Sequence, residues 1–206
     1  MKKLWLMMAM SLLLLSACGG SGSDGGGSSS NGGGASGSAG KVTIKYMDGS
    51  AEKTKEVELT KAIIWPLPLT KSVSGQKVEG LVGYDFTLNN FDFDEKKFAT
   101  ANVQKDGQIS VMFKLIGPEG ATFTNPIKPG TYDAAQPTDA LDARSKSDNM
   151  RVVIFEGGKA TPIMFSNPKG SVKITSANGE TSAGEIDLSD GRNSIKGTFT
   201  TTAYKR

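Results

Sequence analysis

The chain of 206 residues carries one cysteine and no histidine, with 24 Lys and Arg against 21 Asp and Glu and a formal charge of +3. His-based triads, Cys–His nucleophiles and the usual zinc sites are thereby excluded, so an enzyme would have to work with carboxylates, lysines, serines, tyrosines or a hard metal. Near-neutrality without a long basic block leaves no concentrated positive face for nucleic acid.

Met1-Lys2-Lys3 is a cationic start, and Leu4 to Leu15 is an apolar run of about a dozen residues. This is the layout of a signal-peptide core, and the run is too short to cross a bilayer comfortably. The sequence that follows, Leu15-Ser16-Ala17-Cys18, resembles the lipobox of bacterial lipoproteins: a branched residue, two small ones, then cysteine. The resemblance covers residues 1–18. It implies a signal peptide over 1–17, cleavage between Ala17 and Cys18, and a diacylglycerol on the Cys18 sulfur, joined in many bacteria by an amide-linked acyl chain. The partner at this end is then a lipid bilayer. Several acyl chains, at about 0.8 kcal/mol per buried methylene, hold effectively permanently. No second cysteine exists to engage Cys18 in a disulfide. Cleavage would remove Lys2 and Lys3 and lower the formal charge to +1. Gly19 follows the cysteine where, in enteric lipoproteins, aspartate favours inner-membrane retention, so the resemblance implies sorting to the outer membrane.

Residues 19–40 hold eleven Gly and seven Ser, with no apolar side chain larger than Ala. Nothing there offsets the entropy of ordering, so the composition predicts a tether with a typical span of about 25 Å. The segments are thus 1–17, the lipidated cysteine and tether over 18–40, and a folded domain over 41–206.

From residue 41 the pattern alternates with period two, which predicts strands. Val42, Ile44 and Tyr46 form one face before an Asp48-Gly49 turn, and Val57 and Leu59 answer on the return. "KAIIWPLPLTKS", residues 61–72, is apolar, but Pro66 and Pro68 cannot donate ladder hydrogen bonds, which predicts an edge or a stretch outside the sheet. Val82, Tyr84, Phe86 and Leu88 share a face. Ile109, Val111, Phe113 and Leu115 do the same, entered through Asp106-Gly107, which predicts a hairpin of 98–104 with 108–116. Residues 132–150 are polar and predict a long loop, with a short helix capped at Thr138 in which Asp142 and Lys146 pair. Arg151–Phe155 and Ile163–Phe165 form a hairpin. The last stretch is a three-stranded meander turned at Asn178-Gly179 and Asp190-Gly191, with Val172, Ile174, Ile186, Leu188, Ile195, Gly197 and Phe199 on its apolar face. About nine short strands make an all-β fold, an antiparallel sandwich or barrel.

Three candidate sites stand out. Asn90, Asp92 and Asp94 share one face of a strand and suggest calcium, but the EF-hand pattern fails, with Glu95 at the turn glycine and Ala101 at the bidentate glutamate. A solvated strand face is the reading that remains, with no metal and no cofactor expected. Trp65 is either an aromatic platform for a glycan or protein partner or a core residue plugging one end of the fold. Asp133, Asp139, Asp142 and Asp148 cluster around the long loop and would be the acids of a carboxylate-dependent hydrolase of envelope polysaccharide. No nucleophile motif, phosphate loop or dinucleotide fingerprint accompanies them. The expected function is therefore non-catalytic: a membrane-anchored envelope lipoprotein binding a protein or glycan, the alternatives being that hydrolase or a structural or assembly factor of the envelope.

Overall fold

Eleven strands run through the computed structural model, which describes residues 38–94, 102–134 and 143–203, and no α-helix occurs among those residues. In chain order they are β1 (Gly40–Asp48), β2 (Ala51–Leu59), β3 (Lys61–Val73), β4 (Gln76–Asn89), β5 (Ile109–Ile116) and β6 (Gly130–Asp133). There follow β7 (Lys146–Glu156), β8 (Lys159–Met164), β9 (Lys169–Ala177), β10 (Thr181–Ser189) and β11 (Ser194–Ala203). The all-β expectation holds, although β3 and β4, at 13 and 14 residues, are not short.

Hydrogen bonds link the strands in the order β10-β9-β6-β7-β5-β4-β3-β11-β1-β2, with β8 on β7, and β10 also pairs with β11. That last pairing closes a ring running from β10 through β9, β6, β7, β5, β4 and β3 to β11. The β1–β2 hairpin branches from the free edge of β11, whose residues 194–199 pair with β1 before Thr202 and Ala203 pair with β3. Closure removes most exposed edges, the main aggregation hazard of an all-β chain. Lys55 of β2 makes an ion pair with Glu156 beside the β7–β8 turn, tying the hairpin to that side.

The apolar faces expected from alternation meet in one cluster. Val42, Ile44, Tyr46, Val57, Leu59, Val82, Tyr84, Phe86, Leu88, Val111, Phe113, Leu115, Val172, Ile174, Ile186, Leu188, Ile195 and Phe199 all belong to it. At its centre Phe86 and Phe113 stack with centroids 4.6 Å apart, and Phe199 meets them edge-on at 5.6 and 5.7 Å. Burying each ring stabilises the fold by about 1.5–3 kcal/mol.

Several expectations need correction. The pattern is not purely antiparallel: β3 runs parallel to β11 and β6 parallel to β7, each over one or two residue pairs. Residues 61–72 do not lie outside the sheet; they form most of β3 and pair with β4 along its length. The prolines occupy the part with one neighbour, because the β11 ladder ends at Ile64 and Pro66 and Pro68 come next. Val82, opposite Pro68, accepts from Gly117 N–H with its carbonyl, so the Pro68 nitrogen faces away from β4 where no donor is needed.

Residues 102–104 form no strand, and 98–101 lie outside the described residues. The partners of β5 are β4 and β7. The Asp106-Gly107 turn instead docks on the β7–β8 hairpin: Gly107 N–H donates to the Phe155 carbonyl at 2.9 Å, and Asp106 Oδ1 accepts from Gly158 N–H at 3.0 Å. The long loop is shorter than expected, since Tyr132 and Asp133 are in β6 and 146–150 begin β7. Lys146 lies on a strand, which rules out its place in a helix with Asp142; Thr138, Asp139 and Asp142 fall outside the described residues. The polar start of β7 is held by pairing with β5 and by Lys71 Nζ against Asp148 Oδ2 at 3.1 Å. Asn149, at φ 52°, sits beside a register shift that turns Met150, Val152 and Ile154 inward.

Candidate binding site at the barrel mouth

Along most of β10 and β11 the inward positions are apolar, as at Ile186, Leu188, Ile195 and Phe199. Toward the Asn178–Thr181 turn the same positions become Ser182 and Thr201, both buried, with Thr201 Oγ1 donating to the Ser182 carbonyl at 3.2 Å. Tyr84 of β4 and Tyr132 of β6 join the same core. Hydroxyl-bearing side chains thus replace hydrocarbon at one end of the interior.

Residues 117–129, between β5 and β6, fold over this end. Ile127, 1% exposed, packs into the core, and the Tyr132 hydroxyl donates to the Lys128 carbonyl at 2.8 Å. Two tight turns, Ala121 N–H to the Pro118 carbonyl and Asn125 N–H to the Thr122 carbonyl, shape the rest. Held this way, the loop leaves Phe123 51% exposed. Phe123 and Met164, the latter 57% exposed, are the two large hydrophobic side chains left in water among the described residues, and Phe123 is the one beside this end of the interior.

Phe123 lies between two concavities. One is a cavity of ≈ 180 Å³ that it lines with Ile64, Pro66, Tyr84, Thr124, Asn125, Pro126, Ile127, Gly179, Thr181, Ser182 and Ala203. The other is a groove along Pro68, Leu69, Leu81 and Val82. The cavity lining carries no charged side chain. Its polar groups divide in two. Thr181 Oγ1 is bonded to Asn178 Oδ1 at 3.2 Å, and the Thr122 and Thr124 hydroxyls share a bond at 3.1 Å. The Tyr84 hydroxyl, the Ser182 hydroxyl and the Asn125 amide have no protein partner among the described residues. Tyr84 is 2% and Ser182 4% exposed. Among the described residues the side-chain polar atoms that are buried without a partner belong to Asn89 and Ser110, away from this lining, so the Tyr84 and Ser182 hydroxyls keep contact with solvent and are open to a bound molecule.

Burial pushes the Tyr84 phenol up, and burial followed by the nearby Tyr84 pushes Tyr132 far above its ordinary range. Both rings stay protonated across physiological pH, so Tyr84 can donate a hydrogen bond but cannot serve as a base. The arrangement is suited to holding a neutral molecule.

Trp65 does not line this cavity. It sits on β3 opposite Asp85, half-buried and outside the core, one step out of phase with Ile64 and Pro66. The core-plug reading is therefore corrected: Ile127 closes this end, and Trp65 belongs to the outer face. Asp85 lines an outer groove of ≈ 360 Å³ with Met112, Lys114, Arg151 and Met164. Burial pushes the Asp85 carboxyl up, and Lys114 Nζ at 3.4 Å pulls it back.

The other sequence candidates disperse. β4 ends at Asn89, so Asn90, Asp92 and Asp94 are not on a strand face. Asn90 Oδ1 accepts from Ile109 N–H at 2.7 Å while its Nδ2 donates to the Gly107 carbonyl at 2.8 Å. Asp92 pairs with Lys61 at 3.1 Å, and Lys61 also donates to the Phe93 carbonyl, holding Phe91 and Phe93 over Ile63. Asp148 is engaged by Lys71, and Asp133 sits at the end of β6 beside Lys146. Ala17, Cys18, Asp139 and Asp142 lie outside the described residues.

Sequence reasoning missed Phe123, Tyr84 as a cavity residue, and Ser182. A signal for the first was present: in "GPEGATFTNPIKPG", residues 117–130, one aromatic stands alone among turn formers. No known protein-family model matches the chain, and no curated protein or solved structure matches it.

Proposed function

We propose that the chain is a lipid-anchored protein of the bacterial envelope, sorted to the outer membrane, whose β-domain binds a partner at the barrel mouth without chemistry of its own. The anchor is supported by Leu15-Ser16-Ala17-Cys18 behind an apolar run, and the sorting by Gly19. Reach is supported by the Gly and Ser of residues 19–40. The observation that carries the binding reading is Phe123, half exposed between two concavities on a loop that is otherwise fastened down. A partner that covers Phe123 removes its apolar surface from water at little conformational cost, because the loop is already shaped.

Two measurements test this reading. Intact-mass analysis of native material should show residues 1–17 removed and a diacylglyceryl group on Cys18, in the outer-membrane fraction; a free thiol or retained leader overturns the anchor. A photo-crosslinking residue at position 123 in living cells should capture a defined envelope component, and one on the outer face at Thr175 should not. Equal labelling from both positions overturns the mouth as the binding surface.

A further inference from the structure

Resting on the binding reading above, we infer that the cavity beside Phe123 takes one neutral sugar ring of a glycan. Its donors and acceptors are the Tyr84 and Ser182 hydroxyls and the Asn125 amide, which no protein group satisfies among the described residues, the first two being 2% and 4% exposed. A few polar groups left open to bonding in an otherwise apolar lining are what a small-molecule site offers. The absence of charge in the lining disfavours phosphate, carboxylate and ammonium compounds, which would lose water there without gaining a counter-charge. The same lining holds Phe123, Pro66 and Pro126, which offer apolar contact. A pyranose uses both kinds of contact, with hydroxyls around its rim and a face of C–H groups that packs on an aromatic ring. At ≈ 180 Å³ the space suits one ring; pockets for drug-sized ligands begin at about 300 Å³.

The test titrates the purified full-length chain, in detergent micelles, with glucose, galactose, mannose and N-acetylglucosamine, and with glucuronate and glucose 6-phosphate as charged counterparts, read by saturation-transfer NMR. At least one neutral sugar should bind and the charged ones should bind more weakly. Tyr84→Phe, which keeps the ring, and Asn125→Ala, on the exposed loop, should each weaken binding about tenfold, as expected for one lost hydrogen bond, with unchanged circular dichroism. Binding unaffected by either variant, or equal binding of neutral and charged sugars, overturns the inference. If no sugar binds while crosslinking from position 123 captures a protein, the glycan assignment fails and the mouth stands as a protein-binding surface. If neither occurs, both fail.

Discussion

Gly184 of β10 and Phe199 of β11 are register partners, and the Phe199 ring occupies the space that a side chain at 184 would take. A Cβ on residue 184 would come within 2.6 Å of both Phe199 Cζ and the Lys173 carbonyl oxygen. The glycine is therefore what lets Phe199 reach the Phe86–Phe113 stack at the barrel centre.

Gly184→Ala should destabilise the domain by about 1–3 kcal/mol, the usual cost of overpacking, measured by chemical denaturation. Adding Phe199→Leu should recover only part of the loss, because the Lys173 carbonyl stays in the way. An unchanged midpoint in the single variant would contradict the close packing.

Pro66 and Pro68 interrupt the edge of β3 beyond the β11 ladder, where among the described residues no strand lies alongside. Replacing both with valine should leave pairing with β4 intact and create an edge able to dock another chain. The expected outcome is a larger, concentration-dependent mass than that of the unaltered chain in size-exclusion light scattering, with the circular dichroism spectrum retained.

Asp190 ties two loops together. Its carboxylate accepts from Asn193 N–H at 2.6 Å, Arg192 N–H at 2.9 Å and Ser166 N–H at 3.1 Å. Burial by itself would raise this carboxyl, and the three backbone donors outweigh it and hold it below its ordinary value. A lowered folded-state value means that the unfolded chain binds the proton more readily. The contribution is therefore complete above the ordinary carboxylate range and lost as pH falls through it. Asp190→Asn should flatten the acid limb of the stability–pH curve below about pH 4, and Asp190→Ala should cost about 1–2 kcal/mol at neutral pH.

Lys71 and Asp148 form an ion pair at 3.1 Å, with side chains 17% and 18% exposed. Such a pair falls between the exposed and buried regimes, so a double-mutant cycle with Lys71→Met and Asp148→Asn should return a coupling of about 1–2 kcal/mol. A coupling indistinguishable from zero would mean that the polar start of β7 is held by strand pairing alone.

Alternation made β1 and the β9–β11 meander legible, because each puts one face on the core and the other in water. It failed for the start of β7, where Lys146 and Ser147 are buried in succession and no apolar period exists to read. It failed also at Asp106-Gly107, a turn sequence whose hydrogen bonds go to residues about fifty positions away in the β7–β8 hairpin. Ring closure through β10 and β11, and the sharing of one β11 edge by β1 and β3, depend on which strands meet, which local pattern does not encode. The cavity was hidden for a related reason. Tyr84 reads as one more apolar residue in an alternating strand, and only the assembled barrel places it beside Ser182 and the Phe123 loop.

Where the chain joins the barrel has a consequence for traffic to its mouth. Ala39 N–H donates to the Leu59 carbonyl and Ala39 accepts from Thr200 N–H, both at 2.7 Å. The backbone therefore comes in level with Thr200, three positions from Ala203 on the cavity wall, about 10 Å along the strand. A domain moored through that point carries its opening on the moored side.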